Sequence, residues 1–446
     1  MKRFVLIVTP FFAPQNHAAV FRAYKLAKYL PRFGWTPIVL TAGSQYEYNE
    51  DAASLSELPP EVEVVRTRYI EPTLRGMRMA LGGSDRTFRG TKGDGASGNA
   101  NGAPTSFVKR AYQSAVKSYL QIPDAYWTWA NTAIAAGRKL IRDRKIDIVY
   151  TSCAPYSSLT IGRSLQKAGA PWVADFRDPL GYSSKTPNGS YLENRQSRIV
   201  REALRHANAV TVLSSSYDGI FRRLFGNTHA SPIFIPTGID EDLLKPGGSN
   251  ACRTNPYLVF AGEYLPEYDT SFLEAFAQAI GQQEIRETKI KLLVIGTLEI
   301  NQKRLAPLIE KFGLQRWIEF VDQMPQNKVY ELLRDARAGV LIPGVQSFWW
   351  ANFAKMTDYI GMRKPVLAVV PDPSEARTAL TRSRLGIFLD GTPAQRARRL
   401  SDFLLGNHAV AFPDDLECQR YTAYRQVQSF VEVFESLTAQ SPRRKR

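Results

Sequence analysis

Short apolar runs alternate with stretches of helical spacing along most of the chain. The runs consist mainly of β-branched and other apolar residues, which is typical of strands that are buried on both faces. The predicted strands span 4–9, 36–41, 61–68, 146–152, 171–176, 209–214 and 233–238, then 257–263, 290–296, 317–323, 338–344, 365–370 and 385–390. Because strands and helices alternate, the pattern predicts an α/β fold with two parallel, doubly wound, Rossmann-like sheets.

Length and composition indicate more than one domain. At 446 residues the chain exceeds what a single hydrophobic core usually serves. The polar segment GIDEDLLKPGGSN at 238–250 separates the two sets of strands. We therefore predict an N-terminal domain at 1–240 and a C-terminal domain at 241–412. A C-terminal helix with a basic tail at 413–446 is expected to pack back on the N-terminal domain.

One segment departs from the alternation. Residues 81–106 are rich in Gly, Ser and Asn and nearly devoid of apolar side chains, which predicts a mobile loop. Residues 107–120 then place apolar side chains along one helical stripe, with Lys109, Arg110 and Lys117 off it. Such a helix either rests on a membrane or a lipid acceptor, or packs on the protein's own sheet, which is the more frequent case.

The formal net charge of +16 indicates either an anionic partner or an arginine-rich solvated surface. No helix-turn-helix, zinc-finger or RNP pattern accompanies the charge, so we do not expect a nucleic-acid partner. An anionic membrane surface, with a lipid-linked or nucleotide-linked substrate, fits better. No apolar run approaches about eighteen residues and the N-terminus lacks a signal-peptide pattern. We therefore expect a cytoplasmic protein, peripheral at the inner face of the membrane at most.

The sequence motifs of several enzyme classes and of metal sites are absent. The first strand is followed by TPFFAPQNHAAV without a GxGxxG, which argues against a nicotinamide or flavin dehydrogenase. There is no Walker motif, and no GxSxG nucleophile elbow occurs. The three cysteines and four histidines are scattered, which argues against a disulfide framework and a structural zinc site.

The segment FAKMTDYIGMRKPVLAVV at 353–370 is the clearest candidate for chemistry. It predicts a helix, a turn at Gly361 and a buried strand, and it follows a loop at the end of an earlier strand, where α/β proteins bind ligands. Lys355 and Asp358 share one face of that helix. Either Lys355 binds the phosphates and Asp358 the ribose of a nucleotide, or the two side chains pair with each other. The loop amides from Gly344 onward either bind phosphate or form a plain connection.

At this point the chain resembles the GT-B glycosyltransferases, specifically the retaining, nucleotide-sugar-dependent, family 4-like group that builds bacterial polysaccharides and glycolipids. The segments TPFFAPQNHAAVFRAYKLAKYL, WVADFRDPL, PTGID and FAKMTDYIGMRKPVLAV resemble family segments in that order. The resemblance implies the GT-B fold, a donor sugar linked to UDP or GDP, and no resident cofactor. Trp350 and Asp358 stand where many members carry two acids eight residues apart.

The resemblance also implies roles for individual residues. Lys355 would neutralise the leaving phosphate without a metal, since no DxD-type cluster lies in a suitable loop. Arg177 and Asp178 would orient the donor sugar or the acceptor, or else form an ion pair within their own domain. The residues assigned to the nucleotide sugar are Asp358, Gly344, Gln346, Ser347, Glu263, Asp322 and Gln323. Those assigned to the acceptor are His17 and Arg22.

These expectations combine into one function and two rivals. We expect hexose transfer from a nucleotide diphosphate sugar to a cell-surface polysaccharide or a lipid-linked glycan, with retention and without a metal. A nucleotide-sugar epimerase of the same fold and a non-catalytic scaffold of a glycan assembly complex are the alternatives. The sequence leaves the base, the sugar, the acceptor and the oligomeric state open.

Overall fold

The computed structural model describes residues 2–16, 18–43, 51, 53–73, 76, 121–180, 191–227, 230–244, 253, 255–408 and 411–440. Among these residues, the first sheet contains β1 (Arg3–Val8), β2 (Trp35–Ala42), β3 (Glu63–Thr67), β4 (Ile148–Cys153), β5 (Trp172–Phe176), β6 (Ala209–Val212) and β7 (Ile233–Phe234). The second contains β8 (Tyr257–Ala261), β9 (Lys291–Ile295), β10 (Ile318–Val321), β11 (Ala338–Leu341), β12 (Val366–Ala368) and β13 (Gly386–Phe388). Every strand overlaps a predicted run, and the predicted α/β class with two Rossmann-like sheets is confirmed.

Helices connect most of the strands. Those of the first half are α1 (Ala18–Tyr29), α2 (Ala53–Ser56), α3 (Trp127–Arg144), α4 (Ser157–Lys167), α5 (Tyr191–His206) and α6 (Tyr217–Phe225). Those of the second half are α7 (Ser271–Ile280), α8 (Gln283–Glu287), α9 (Leu298–Phe312), α10 (Gln326–Asp335), α11 (Ala354–Gly361), α12 (Glu375–Arg382), α13 (Pro393–Leu404), α14 (Asp415–Gln419) and α15 (Ala423–Gln440). None of the described helices combines the length and apolarity that a membrane crossing needs.

Each sheet has a point where the order of its strands changes direction. The order is β3-β2-β1-β4-β5-β6-β7 in the first sheet and β10-β9-β8-β11-β12-β13 in the second. The strands pair in parallel, as where Val5 is in register with Ile148 and Leu258 with Ala338. The direction changes between β1 and β4 and again between β8 and β11. The carboxyl ends of such strand pairs are where α/β folds open a crevice for ligands.

Apolar side chains on both faces of the second sheet explain its continuous apolar runs. Leu258 and Phe260 of β8 belong to the core on one face. Tyr257 and Val259, the alternating residues of the same strand, belong to the core on the other face. Because successive side chains of a strand point to opposite faces, a strand covered on both sides must be apolar throughout.

Contacts divide the chain into two compact units. The first contains Met1–Thr211, Ile220–Ile233 and the chain from Glu432 onward, and the second contains Val212–Gly219 and Phe234–Val431. Within the first unit, the ring of Phe434 in α15 lies 5.7 Å from that of Trp35, measured between centroids. The domain boundaries at 240 and 412 stay predictions. The predicted loop at 81–106 and the stripe at 107–120 lie outside the described residues.

Candidate functional site

The carboxyl ends of β8 and β11 gather most of the residues selected in the second half of the chain. Gly262 and Glu263 directly follow β8, and Gly344 lies on the connection from β11 to α11. This edge is also the place where the strand order of the second sheet reverses. The ligand site predicted at α11 therefore lies where the topology opens a crevice.

Lys355 lies in the first turn of α11, beside aromatic rings and without an acidic partner. Its Nζ is 3.6 Å from the ring centroid of Phe260 and 5.6 Å from that of Tyr268. It forms no ion pair with any residue that the structure describes, and the alternative pairing with Asp358 is absent. Burial lowers the pKa of the Lys355 ammonium to about 7. The rings stabilise the cation, while its charge is left without a counter-charge.

The backbone at the start of α11 adds hydrogen-bond donors to the same place. The helix begins after Phe353, and no side chain caps its first turn. The N–H groups of a first turn have no partners within the helix, and the helix dipole favours an anion there. A lysine in this turn is unfavourable by itself, because its charge has the same sign as this end of the dipole. An anion bound at this point would stabilise both the Lys355 ammonium and the unpaired N–H groups of the first turn.

Gly344 allows the connection from β11 to α11 to approach a second loop. Its φ is +43°, and a Cβ at this position would lie 2.1 Å from the Cβ of Asp269. Asp269 accepts a hydrogen bond from the N–H of Ser271 at 2.6 Å, at the start of α7. Backbone conformation and space therefore both require glycine. Gln346 and Ser347 follow in a short 3-10 turn and are exposed.

Asp358 is oriented by α10 rather than by Lys355. The hydroxyl of Tyr330 donates to Asp358 Oδ1 at 3.1 Å, and the side-chain amide of Gln326 donates to the Tyr330 hydroxyl at 2.7 Å. Burial and then the charge of Asp358 raise the pKa of Tyr330 well above its usual value, which keeps the hydroxyl a donor. Asp358 itself is half-buried. The carboxylate therefore has a hydrogen-bond partner of its own, in α10.

The loop after β8 is fixed to α9 by Asn301, which the sequence analysis did not select. This side chain is 1% exposed. It donates from Nδ2 to the carbonyl of Gly262 at 3.2 Å and accepts from the N–H of Tyr264 at 2.8 Å. Gly262 has a φ of +106°, and a Cβ there would lie 3.6 Å from Lys355 Nζ. Asn301 therefore holds the loop that lies beside the lysine.

Glu263 and Asp322 both contact the first turns of α9. Glu263 forms an ion pair with Arg304 at 3.3 Å. Asp322, which follows β10, accepts hydrogen bonds from the N–H of Leu298 at 3.2 Å and from that of Gln323 at 2.8 Å. These contacts give both carboxylates structural partners. Their roles, and that of the exposed Gln323, in binding a sugar or a base stay predictions.

Arg177 and Asp178 follow β5 in the first unit and do not pair with each other. The N–H of Arg177 donates to the carbonyl of Cys153 at 2.6 Å, and its guanidinium donates to the carbonyl of Ala154, so it joins the ends of β5 and β4. Asp178 is exposed and forms no ion pair with a described residue. The interpretation of these two residues as an intradomain ion pair is therefore wrong, and Asp178 keeps its carboxylate at the edge of the sheet.

Arg22 is a core residue of the first unit, only 2% exposed. Its Nε and Nη2 donate to the two oxygens of Asp175 at 2.7 and 2.8 Å. The hydroxyls of Tyr150 and Thr211 each donate to the same carboxylate at 2.7 Å. This burial argues against the predicted contact between Arg22 and an acceptor. His17, the other residue assigned to the acceptor, lies outside the described residues.

The residues that sequence analysis missed had weak local signals. Asn301 lies within an otherwise amphipathic helix, where a buried amide has no pattern of its own. Asp175 interrupts an apolar strand, and an acid inside such a run is a signal for a buried partner. Among the described residues, no three His, Cys, Asp or Glu side chains are grouped as a metal site requires.

Comparisons with known proteins agree with this architecture. The model of the glycosyl transferase 4-like domain matches residues 19–238. No curated protein matches the sequence. A sucrose-phosphate synthase from Thermosynechococcus elongatus is similar in structure, with a TM-score of 0.56 and 13% identity over 98% of this chain and 97% of that one.

Two further solved structures share the fold at low identity. HepE from Anabaena, in complex with UDP-glucose, has a TM-score of 0.56 and 14% identity over 97% of this chain and 99% of its own. A UDP-forming trehalose-phosphate synthase from Burkholderia xenovorans, in complex with glucose-6-phosphate, has a TM-score of 0.58 and 12% identity over 97% and 100%. Residues 19–238 therefore match the glycosyl transferase 4-like domain, and the two Rossmann-like sheets are those of the GT-B fold.

Proposed function

We propose that this glycosyltransferase moves a hexose from a nucleotide diphosphate sugar to a cell-surface polysaccharide or a lipid-linked glycan. Lys355 carries the proposal: it is a sheltered cation without a counter-charge among the described residues, in the uncapped first turn of α11, at the switch point of the second sheet. A diphosphate supplies the charge that this position lacks. The UDP-glucose bound to HepE supports a nucleotide-sugar donor by analogy of fold.

The donor is held by the second unit in this proposal. Lys355 and the first-turn amides of α11 bind the diphosphate, and Asp358 accepts the ribose hydroxyls. The sugar and the base are assigned to the remaining residues of the same edge, namely Gly344, Gln346, Ser347, Glu263, Asp322 and Gln323. Because Asp358 already accepts from Tyr330, its carboxylate is oriented before the nucleotide arrives.

The chemical step follows from the charge that develops on the leaving group. As the bond between the anomeric carbon and the phosphate oxygen breaks, negative charge grows on the diphosphate, where Lys355 and the helix amides stabilise it without a metal. In a retaining reaction the acceptor hydroxyl attacks from the same face and passes its proton to the departing phosphate oxygen. Arg177 and Asp178 orient the acceptor or the donor sugar. We place the protein in the cytoplasm, at the inner face of the membrane.

Product analysis with and without an acceptor tests the proposal. The purified protein is incubated with UDP- and GDP-hexoses, alone and with lipid-linked or oligosaccharide acceptors. We expect free nucleotide and a glycosylated acceptor only when both substrates are present. Conversion of the donor to an isomeric nucleotide sugar without an acceptor would identify an epimerase. Nucleotide binding without any turnover across the substrate panel would favour the scaffold.

A further inference from the structure

Four helices form one continuous layer on the first sheet. α3, α4, α5 and α6 connect strands that follow one direction along the sheet toward β7, so right-handed crossovers place all four on the same face. Side-chain contacts join them: Arg138 of α3 donates to Ser164 of α4 at 3.0 Å, and Arg201 of α5 lies 5.6 Å from the ring centroid of Phe225 in α6. We call these four helices the basic layer.

The basic layer holds a large share of the chain's positive charge. Its helices contain twelve basic residues, four each in α3 and α5 and two each in α4 and α6, against four acidic ones. The seven helices α7 to α13 of the second unit contain twelve basic and ten acidic residues, so they are nearly balanced. A net charge of +16 is therefore not spread evenly over the protein.

Several charges of the basic layer have no counter-charge among the described residues. Arg195, Arg198 and Arg205 of α5 are exposed, on the side of the helix opposite to its buried residues. None of the three forms a hydrogen bond or an ion pair with a described residue. Arg144 of α3, in contrast, pairs with Glu63 at 3.3 Å. Glu202, the acid nearest to this stripe, is paired with His206 at 3.4 Å, so the three arginines retain their attraction for an external anion.

Exposed apolar side chains lie at the ends of three helices of the basic layer. Trp127 at the start of α3 is 41% exposed, Tyr191 at the start of α5 is 71% exposed, and Leu224 in the last turn of α6 is 43% exposed. Trp and Tyr, which combine an apolar body with a polar tip, are the residues enriched at membrane–water interfaces. Helices packed side by side on a sheet also present a broad surface, whereas a nucleic-acid groove is read by an inserted helix or strand.

We propose that the basic layer is the surface by which this protein docks on an anionic lipid bilayer. The arginines attract the anionic headgroups, and the exposed aromatic and aliphatic side chains enter the interfacial region. The inference rests on the proposed function in one respect, because a lipid-linked acceptor is presented at such a surface. On the opposite face of the sheet, α1 offers no equivalent among the described residues, because its Arg22, Lys25 and Lys28 are buried.

Vesicle cosedimentation of the full chain tests this surface. The probes are phosphatidylcholine vesicles and vesicles that also contain phosphatidylglycerol. We expect binding to the anionic vesicles only, with an affinity that falls as salt rises. The triple variant Arg195→Gln/Arg198→Gln/Arg205→Gln should lose on the order of 100-fold in affinity. The charge-keeping variant Arg195→Lys/Arg198→Lys/Arg205→Lys should bind like the wild type, which also shows that the surface tolerates substitution.

A matched control separates this surface from the net charge. The variant Lys311→Gln/Arg316→Gln/Arg398→Gln removes the same charge from exposed positions of the second unit and should bind within a few-fold of the wild type. Equal losses in both triple variants, equal binding to both kinds of vesicle, or a preference for nucleic acid over anionic vesicles would each overturn the proposal. Vesicle binding needs no sugar transfer, so the docking surface and the proposed activity can fail independently.

Discussion

Lys355 shows at the residue scale how an unfavourable environment marks a binding position. Burial disfavours its charge, the dipole of α11 repels it, and no carboxylate of the described residues compensates. The rings of Phe260 and Tyr268 recover part of this free energy. A bound diphosphate would supply the rest, because it provides a charge of opposite sign and accepts hydrogen bonds from the helix amides.

The first prediction is that Lys355→Ala weakens nucleotide binding. Loss of a charged hydrogen bond should cost about 1 to 3 kcal/mol, or roughly 5- to 150-fold in affinity. Isothermal titration calorimetry with UDP and GDP measures the change. The control is Lys311→Ala, which removes an exposed lysine of α9 in the same unit and should leave the affinity unchanged. Equal affinities for wild type and Lys355→Ala would remove Lys355 from the site.

The second prediction concerns pH. The pKa of Lys355 in the free protein is lowered to about 7. The side chain is therefore protonated below this pH, and it loses its positive charge as the pH rises through this value. The affinity for the sugar nucleotide should therefore fall above about pH 7, by up to about tenfold per pH unit, and binding at about pH 8 should take up a proton. Titrations in buffers of different ionisation enthalpy measure this uptake. Lys355→Arg, whose charge does not titrate in this range, should abolish the trend.

The third prediction compares two glycines that both have a positive φ. Gly344 and Gly313 have φ values of +43° and +66°, so alanine is strained at both, by about 1 kcal/mol. A Cβ at Gly344 would lie 2.1 Å from that of Asp269, whereas nothing lies within 4 Å at Gly313. Gly344→Ala should therefore lower the free energy of unfolding more than Gly313→Ala. Urea unfolding measures the free energy of unfolding of both variants. Equal losses would mean that the loops of Gly344 and Asp269 can separate without cost.

At the scale of elements, the end of β5 holds two aspartates in opposite environments. Asp175 is buried and accepts four hydrogen bonds that join β5 to α1, β4 and β6. Asp178, three residues later, is exposed beyond the end of the strand. β5 ends at Phe176, so the alternation of its side chains does not explain the difference between the two aspartates. The hydrogen-bond partners of Asp175 explain it. One carboxylate therefore belongs to the framework, and the other is available to a substrate.

The fourth prediction follows from this contrast. Asp175→Asn removes the counter-charge of the buried Arg22 guanidinium and should lower the free energy of unfolding by about 3 to 5 kcal/mol. Asp178→Asn, at an exposed position, should change it by less than about 0.5 kcal/mol. Urea unfolding followed by circular dichroism compares the two. If Asp175→Asn is as stable as the wild type, the buried pair does not have the structural role given to it here.

At the scale of the whole molecule, the candidate residues are divided between the two units. Lys355 and Asp358 belong to the second unit and Asp178 to the first. In the proposed function, substitutions in the second unit therefore affect nucleotide binding, and substitutions in the first unit affect the orientation of the reacting groups. This division lets steady-state kinetics separate the two roles.

The fifth prediction is that Asp178→Asn lowers kcat much more than it lowers nucleotide affinity, which is the pattern of an interaction made mainly in the transition state. Turnover should also survive EDTA, because the leaving phosphate is assigned to Lys355 and the amides of α11. Coupled assays of nucleotide release, with and without chelator, measure both effects. Full turnover in Asp178→Asn, or a loss with EDTA that magnesium or manganese restores, would contradict this mechanism.

The elements and their class could be predicted from local patterns, because burial on both faces of a parallel sheet requires continuous apolar runs that are readable from neighbouring residues. The sequence also placed Lys355 and Asp358 on one helix and Gly344 ahead of it, since helical spacing is local. The tertiary structure decided which side chains meet across elements. Arg22 and Asp175, 153 residues apart, pair in a core instead of facing an acceptor. The loop beside Lys355 is likewise held by Asn301 from another helix. Such contacts depend on how distant elements pack, and no period along the chain records them.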